Sequence, residues 1–355
     1  MLPSYNPEDY MISLEAIKQG DRLAISRFLS AVENDSQEGR DLMNALFALT
    51  GQAYIVGVTG APGTGKSSLV NELVWHIRKT MNLRIAVIAV DPSSPFSGGA
   101  LLGDRIRMRD LYGDSDVFIR SVASRGSLGG LAARTSAMVS AFDAAGFELI
   151  MIETVGAGQS EVDIAKLAHT VLVVEAPGLG DDIQAIKAGI LEIADILVVN
   201  KADQPGVENS VRALEAMLSL RKKQQFSITD LHHSWQNIAV PIEEDLSNQE
   251  TEENYWQPPI LKTIALQRNG IADLCDAVFR HKAFLLKSGV YRIKDGIRLQ
   301  VEFQNALMQV LLDQWQDAAD KQMLQQGLKD LLTREISPQA LAVKLTEFRP
   351  KDSEK

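Results

Sequence analysis

The sequence predicts an α/β fold in which a mostly parallel sheet carries helices on both faces. Short apolar runs alternate with stretches of helical period, and a glycine-rich loop joins the first run to a helix. Near-continuous apolar runs are typical of strands that are buried on both faces. Because ligands in such sheets bind at the carboxyl ends of the strands, we expect the functional residues directly after the runs. The predicted strands are Tyr54–Val58, Ile85–Val90, Val117–Ile119, Leu149–Ile152, Val171–Val174, Ile196–Val199 and Ile260–Ile264.

The loop after the first strand has the sequence of a phosphate-binding P-loop. Residues 57–68 read GVTGAPGTGKSS, which contains the pattern G-x-x-x-x-G-K-[ST]. Backbone N–H groups would surround the phosphates, Lys66 would neutralise the β- and γ-phosphates, and the Ser67 hydroxyl would hold Mg²⁺. We therefore predict a P-loop NTPase domain whose nucleotide contacts include Gly60, Ala61, Pro62, Gly63, Thr64, Gly65, Lys66, Ser67 and Ser68.

Two acidic residues flank a segment rich in Gly, Pro and Ser after the second strand. Asp91 directly follows that strand, and would orient the attacking water or bind the metal through water. Asp104 lies at the far end of the segment and is assigned to the metal site, while Arg105 and Arg107 would close over the phosphates. The structural alternatives are a helix N-cap for Asp91 and solvated charges for the others.

A second switch element follows the strand Leu149–Ile152. Glu153 and Gly156 stand in the place of a D-x-x-G element, with Glu for Asp. The carboxylate would hold Mg²⁺ through water, and the Gly156 N–H would turn towards the γ-phosphate. Gln159 does not directly follow this glycine, so we expect slow hydrolysis. The predicted catalytic residues are Lys66, Asp91 and Glu153, and the predicted metal ligands are Ser67, Asp91, Asp104 and Glu153.

The strand Ile196–Val199 leads into a base-reading element, N-K-x-D. The Asp203 carboxylate would accept hydrogen bonds from guanine N1–H and the 2-amino group, which adenine cannot donate. Asn200 would brace the loop, and the stem of Lys201 would lie over the ring. The last base-contacting element usually reads S-A-x, but Ile264 stands here in place of Ser, followed by Ala265 and Leu266. The Ala265 N–H would meet guanine O6, so the bound nucleotides are predicted to be GTP and GDP.

Composition excludes several classes of protein. A formal net charge of −10 and a pI of about 5.1 argue against a nucleic-acid partner. No apolar run is long enough to span a membrane, and the N-terminus resembles neither a secretory signal nor a transit peptide, so we expect a cytoplasmic protein. Cys275 lies at helical spacing with apolar residues and is expected to be a buried structural thiol.

We divide the chain into three parts. Residues 1–50 are predicted to be a helical extension with breaks near Gly20-Asp21 and Asn34-Asp35; residues 51–268 form the P-loop domain, and residues 269–355 form a helical arm. In the arm, a basic patch that contains Arg292, Lys294 and Arg298 precedes a long amphipathic helix, whose apolar face would pack on its own domain or form a dimer. The apolar positions of this helix are Val301, Leu307, Val310, Leu311 and Trp315. Residues 225–257 form a polar excursion, and its His232 and His233 are interpreted as solvated.

The chain resembles the MeaB/ArgK family of GTPase chaperones, which includes the human methylmalonic aciduria type A protein. The resemblance rests on the P-loop run and on five further segments, and it covers most of the chain. These segments are VDPSSPFSGGALLGDRIRM (90–108), SRGSLGGLA (124–132), ETVGAGQSEVDI (153–164), NKAD (200–203) and ISPQALAVKL (336–345).

The resemblance implies a GTPase domain with an N-terminal helical extension and a C-terminal arm that forms a homodimer. It also implies Mg²⁺, and a role in loading and protecting an adenosylcobalamin-dependent acyl-CoA mutase, usually methylmalonyl-CoA mutase, with its adenosyltransferase as a further partner. Lys187 and its neighbours after EAPGLGDD (175–182) would form a switch that contacts the mutase. The alternatives are a nickel-insertion GTPase, a protein-targeting GTPase and a kinase acting on an amino-acid transport protein.

Overall fold

The structure is a computed structural model that describes residues 12–91, 111, 113–123, 130–154, 160–178, 192–221, 255–318 and 321–347. The chain divides into two compact units, residues 1–301 and residues 302–355. The predicted three-part division of the chain stays a prediction. Within the described ranges, no helix combines the length and the apolar character that crossing a membrane requires.

The first unit begins with three short helices, each started by a capping side chain. Ser13, Asp21 and Ser36 accept hydrogen bonds from backbone N–H groups in the first turn of the helix that each precedes. The predicted helix breaks are therefore confirmed. The helices are α1 (Leu14–Lys18), α2 (Arg22–Glu33) and α3 (Gln37–Leu46).

The next elements form a sheet in which all strand pairs are parallel, in the order β3-β2-β4-β1-β5-β6-β7. This confirms the predicted α/β fold and all seven predicted strands. The elements are β1 (Tyr54–Thr59), α4 (Lys66–Met81), β2 (Ile85–Asp91), β3 (Val117–Ala123), α5 (Gly130–Ala144), β4 (Leu149–Glu153), α6 (Ser160–Leu167), β5 (Thr170–Glu175), β6 (Ile196–Val199), α7 (Val207–Arg221), β7 (Ile260–Lys262) and α8 (Ile271–Lys287).

The strand ends differ slightly from those predicted. Asp91 and Glu153 are the last residues of β2 and β4, rather than the first residues after them. The ladder extends that far because Asp91 pairs with Ala123 on β3, and Glu153 pairs with Val58 on β1. Apolar character alone therefore underestimates the length of a strand whose last residue is a carboxylate.

Each face of the sheet is covered by a separate apolar cluster. Helices α4 and α8 pack together on one face, while α2, α3 and α5 contribute to the cluster that covers the other. Cys275 on α8 is buried, as predicted, and burial raises the pKa of its thiol to about 11. Helix α8, which we placed at the start of the arm, is thus part of the core of the first unit.

The long helix α9 (Val290–Ala318) begins eleven residues before Val301, where we expected its first apolar position. The basic residues Arg292, Lys294 and Arg298 lie inside it, so the prediction that they precede the helix is wrong. Arg298 is 1% exposed, and its guanidinium donates hydrogen bonds to Asp295 and to the Ser140 hydroxyl. The ion pair with Asp295 and the hydrogen bond to Ser140 offset the cost of burying this charge.

The second unit contains the rest of α9 together with α10 (Lys321–Leu332) and α11 (Pro338–Glu347). The Trp315 indole N–H donates to the Leu345 carbonyl at 3.3 Å. A Cβ at Gly327 would lie 2.4 Å from a methyl group of Leu341, so α10 and α11 approach closely at this glycine.

A network of buried and half-buried polar groups, here called the amino-end network, lies at the amino ends of the strands, opposite the P-loop. The Thr170 hydroxyl contacts both the Tyr54 hydroxyl and Nδ1 of His281, the latter at 2.7 Å. Lys294 of α9 donates to the His169 carbonyl at 2.7 Å and to Asp195 at 3.2 Å. The start of α9 is therefore hydrogen-bonded to the beginnings of β5 and β6.

The buried histidine of the amino-end network leads us to predict a loss of stability in mild acid. Burial lowers the pKa of His281 to about 4, although Asp195 acts in the opposite direction and Lys294 adds to the lowering. The unfolded chain binds this proton near pH 6.5, so the stabilisation is present above pH 6.5 and is lost as the pH falls towards 4. We expect the apparent free energy of unfolding to fall by up to about 1.4 kcal/mol per pH unit for this residue.

Denaturant unfolding of the full chain between pH 4 and pH 7 measures this slope. His281→Asn keeps a hydrogen-bonding group near Thr170 but cannot titrate, so its slope should be shallower than that of the wild type. His76, a half-buried histidine of α4, provides the matched control: His76→Asn should leave the pH dependence of the unfolding free energy unchanged. An identical slope in His281→Asn would contradict the assignment.

Candidate functional site

The P-loop connects β1 to α4 and contains two glycines that the surrounding geometry requires. Gly60 has a φ of 141°, and a Cβ there would lie 2.0 Å from the Val174 carbonyl oxygen. Gly65 has a φ of 90°, and a Cβ there would lie 2.6 Å from Nδ2 of Asn200. Both positions combine a left-handed backbone with close approach to a neighbouring strand or loop, which only glycine accommodates.

Lys66 begins α4, and its side chain is turned back along the P-loop. The ammonium donates to the carbonyl oxygens of Gly60 at 2.7 Å and Ala61 at 2.9 Å. Thr64 is buried and also donates to the Ala61 carbonyl, while Pro62 and Gly63 form the exposed tip of the loop. The P-loop therefore wraps around the Lys66 ammonium, and this positive charge would attract an anionic phosphate group.

Ser67 and Glu153 bring two of the predicted metal ligands together. The Ser67 hydroxyl donates to Oε1 of Glu153 at 2.5 Å, and both side chains are buried. Next to them, the Thr154 hydroxyl donates to the Thr59 hydroxyl at 2.9 Å. Mg²⁺ prefers oxygen ligands and usually takes one or two from the protein, with water and phosphate oxygens completing the shell. The Ser67–Glu153 pair fits this requirement.

Asp91 is placed on the same edge of the sheet as this pair. It ends β2, and Ala89 two residues before it is in register with Glu153 on the neighbouring strand β4. The backbone of Asp91 thus belongs to the strand next to the predicted metal site. Asp104, Arg105, Arg107, Gly156, Gln159, Lys187, His232 and His233 lie outside the described residues.

Asn200 joins the P-loop to the two loops predicted to contact the base. It follows β6 and is buried, and its Nδ2 donates to the Thr64 carbonyl at 2.9 Å. Its Oδ1 accepts hydrogen bonds from the Thr263 hydroxyl and from the Ala265 N–H, both at 3.1 Å. The predicted bracing role of Asn200 therefore corresponds to three contacts, one with the P-loop and two with the loop after β7.

The other two residues of the N-K-x-D element are more exposed. Lys201 has a φ of 56°, and its ammonium donates to the Gly63 carbonyl at 2.7 Å, so its stem extends back to the P-loop. Asp203 is exposed at the surface of the same loop. The Ala202 N–H donates to the Thr263 carbonyl at 3.0 Å, which holds the N-K-x-D loop against the next loop.

The loop after β7, here called the base loop (residues 263–269), contains Ile264 where serine was expected. Its ends are joined by two backbone hydrogen bonds between Ile264 and Asn269. Ala265 is buried, and its N–H, which we assigned to guanine O6, donates to Asn200 in this structure. Leu266 is 86% exposed, so its side chain projects outwards from the loop.

Sequence reasoning missed a contact on this loop. Arg268 donates to Glu72 of α4 at 2.6 Å, and its guanidinium lies 3.7 Å from the centre of the Trp75 ring. No spacing in the sequence links these residues, because Arg268 and Glu72 are 196 positions apart. The base loop is thus attached to the helix that begins with Lys66.

Comparison with known proteins agrees with this geometry. The model of the family described as methylmalonyl-CoA mutase-associated GTPase MeaB matches residues 25–320. A protein of Pyrococcus abyssi named as a GTPase is 41% identical over 329 residues, which are 93% of each chain. A fused isobutyryl-CoA mutase of Nocardia farcinica is 37% identical over 217 residues, which are 60% of this chain and 20% of that protein.

A solved structure supports the fold. The crystal structure of an LAO/AO transport system kinase superposes with a TM-score of 0.56 and 24% identity, covering 97% of this chain and 99% of that one. The family match extends over most of the chain and includes the P-loop, Glu153 and the N-K-x-D element. The chain therefore belongs to the MeaB family of methylmalonyl-CoA mutase-associated GTPases.

Proposed function

We propose that this chain binds GTP with Mg²⁺, hydrolyses it slowly, and uses its nucleotide state to gate the loading of adenosylcobalamin into an acyl-CoA mutase. The observation that carries the GTP assignment is the side chain of Asn200, which connects the P-loop to both base-contacting loops. A phosphate-binding site and a base-reading site at a set distance are what recognition of a whole nucleotide requires.

The phosphate end of the site would act through Lys66, Ser67 and Glu153. The β- and γ-phosphate oxygens would replace the loop carbonyls as acceptors for the Lys66 ammonium. Ser67 and Glu153 would hold Mg²⁺, which neutralises charge on the phosphates, and Asp91 would orient the attacking water. Attack of this water on the γ-phosphorus breaks the bond to the β-phosphate oxygen and releases GDP and phosphate.

Removal of the P-loop cation tests the catalytic proposal. Lys66→Ala should lower the rate of GTP hydrolysis at least a hundredfold, because developing charge on the phosphates loses its buried partner. Phosphate release from saturating Mg²⁺–GTP is the measurement. Lys18→Ala, which removes an exposed lysine from α1, is the control and should retain full turnover. Hydrolysis that survives in Lys66→Ala would refute the assignment of the loop.

The base end of the site would act through Asp203. Its carboxylate would accept hydrogen bonds from guanine N1–H and the 2-amino group, and adenine would leave it without these donors. The stem of Lys201, already extended to Gly63, would cover one face of the ring. In the base loop, the Ala265 N–H would contact guanine O6, and Leu266 would lie beside the base.

Base choice is tested by calorimetric titration with GDP and ADP. The wild type should prefer GDP by at least a hundredfold, and Asp203→Ala should remove most of this preference while it leaves ADP binding unchanged. Asp273→Ala, an exposed carboxylate on α8, serves as the control. Equal affinity of the wild type for GDP and ADP would contradict the role of Asp203.

The mutase assignment is supported by the family and by one relative. The family is described by its association with methylmalonyl-CoA mutase, and the Nocardia farcinica relative is a fused isobutyryl-CoA mutase. Both substrates are acyl-CoA thioesters, so we propose a mutase of this class as the partner, with its adenosyltransferase as the source of the cofactor. No observation on the described residues favours nickel insertion or a transport kinase over this reading.

A homodimer is proposed from the second unit. Four apolar side chains of α9 recur at helical spacing, and each is between 44% and 64% exposed: Phe303, Leu307, Val310 and Leu311. An apolar stripe of this kind on a helix normally faces another surface. A second copy of the chain would cover it.

Both assembly proposals are tested in one experiment. The full chain is passed over a sizing column with light-scattering detection, alone and with purified methylmalonyl-CoA mutase, and GTP turnover is measured in the same mixtures. We expect a dimer mass alone, a larger complex with the mutase, and turnover raised about tenfold or more. Leu311→Glu should halve the mass of the free protein. A monomeric wild type, or turnover that the mutase leaves unchanged, would contradict the corresponding proposal.

A further inference from the structure

The base loop lacks the serine hydroxyl that would normally brace it, yet it is held on three sides. Asn200 accepts the Ala265 N–H, the backbone pair between Ile264 and Asn269 closes the loop, and Arg268 attaches it to α4. The first two contacts use backbone groups of the loop. The third is made by a side chain, that of Arg268.

The Arg268 contact combines two interactions on one guanidinium. Its Nε donates to Oε2 of Glu72 at 2.6 Å, while the plane lies 3.7 Å from the centre of the Trp75 ring. The other carboxylate oxygen of Glu72 accepts from Nδ2 of Asn71 at 3.0 Å. Glu72 is therefore held from two sides, with its side chain 13% exposed, and it presents a fixed acceptor to the loop.

The backbone conformation of Arg268 is also fixed by the turn in which it lies. It has a φ of 59°, and its N–H donates to the Ala265 carbonyl at 3.0 Å, which ends the short 3₁₀ turn formed by Ala265–Gln267. The next turn is made by Gly270, where a Cβ would lie 2.2 Å from the Lys262 carbonyl oxygen. The turn and the side chain together direct the guanidinium towards α4.

We propose that Arg268 is a positioning residue for guanine recognition, which holds the base loop at a set distance from the phosphate-binding helix α4. Through Arg268, Glu72 and Trp75, the segment that carries Ala265 and Leu266 is fastened to the helix that begins with Lys66. The contact takes over the bracing that a serine at position 264 would supply. This inference rests on the proposed binding of guanine nucleotides.

We expect the loss of Arg268 to weaken contacts to the guanine base and to spare contacts to the phosphates. Arg268→Ala frees the loop but leaves the P-loop and Lys66 intact, so contacts to the phosphates are retained. The affinity for GDP should fall about three- to tenfold, because a half-exposed ion pair and a cation–π contact are each modest. The affinity for ADP, which is held mainly by its phosphates, should stay within about twofold of the wild type.

Further variants separate positioning from general loss of structure. Arg268→Lys keeps a cation opposite Glu72 but loses the planar guanidinium that stacks on Trp75. Its affinity for GDP should therefore lie between those of the wild type and Arg268→Ala. Glu72→Gln loosens the same contact from the α4 side and should shift GDP binding in the same direction. Arg280→Ala, an exposed arginine of α8, is the matched control and should bind both nucleotides as the wild type does.

The experiment is calorimetric titration of the full chain and its variants with GDP and with ADP, in the presence of Mg²⁺. The proposal is supported if the affinity for GDP relative to that for ADP falls in Arg268→Ala and is partly restored in Arg268→Lys. An unchanged ratio, or equal weakening for GDP and ADP, overturns it while the preference of the wild type for GDP upholds the proposed function. A wild type without any preference for GDP overturns both.

Discussion

The site depends on one buried amide. Asn200 uses both its nitrogen and its oxygen to connect the P-loop, its own loop and the base loop, which follow three different strands of the sheet. Because the interior around it is densely packed, even a methyl group at Gly65 would collide with its amide nitrogen. The separation between the phosphate end and the base end is therefore set by this side chain and by the strands beneath it.

The sheet explains why these distant segments of the chain converge. Strands β1, β4 and β6 are parallel, β4 is next to β1, and only β5 separates β1 from β6, so their carboxyl ends lie at the same edge. Apolar periodicity predicted all seven strands, because strands covered on both faces leave few polar positions. It also predicted that the P-loop, Glu153 and the N-K-x-D element would lie together, since each follows or ends a strand.

Other features could not be predicted from local patterns. The burial of Arg298 depends on Ser140, which lies 158 positions earlier on another helix, so the sequence placed this residue in a basic patch before α9 instead. The attachment of Arg268 to Glu72 and Trp75 likewise depends on how the base loop folds against α4. The loss of serine at position 264 was visible in the sequence, but the group that holds the loop in its place was not.

The amino-end network and the P-loop lie at opposite ends of the sheet. Strand β1 carries the P-loop at its carboxyl end, while at its amino end Tyr54 contacts Thr170 and donates to the Val278 carbonyl of α8. A strand of six residues is about 20 Å long. The P-loop and the start of α9 are therefore separated by the full length of this strand. Any coupling between the two would have to act over this distance, by a shift of strands and helices or through a partner that contacts both ends of the sheet.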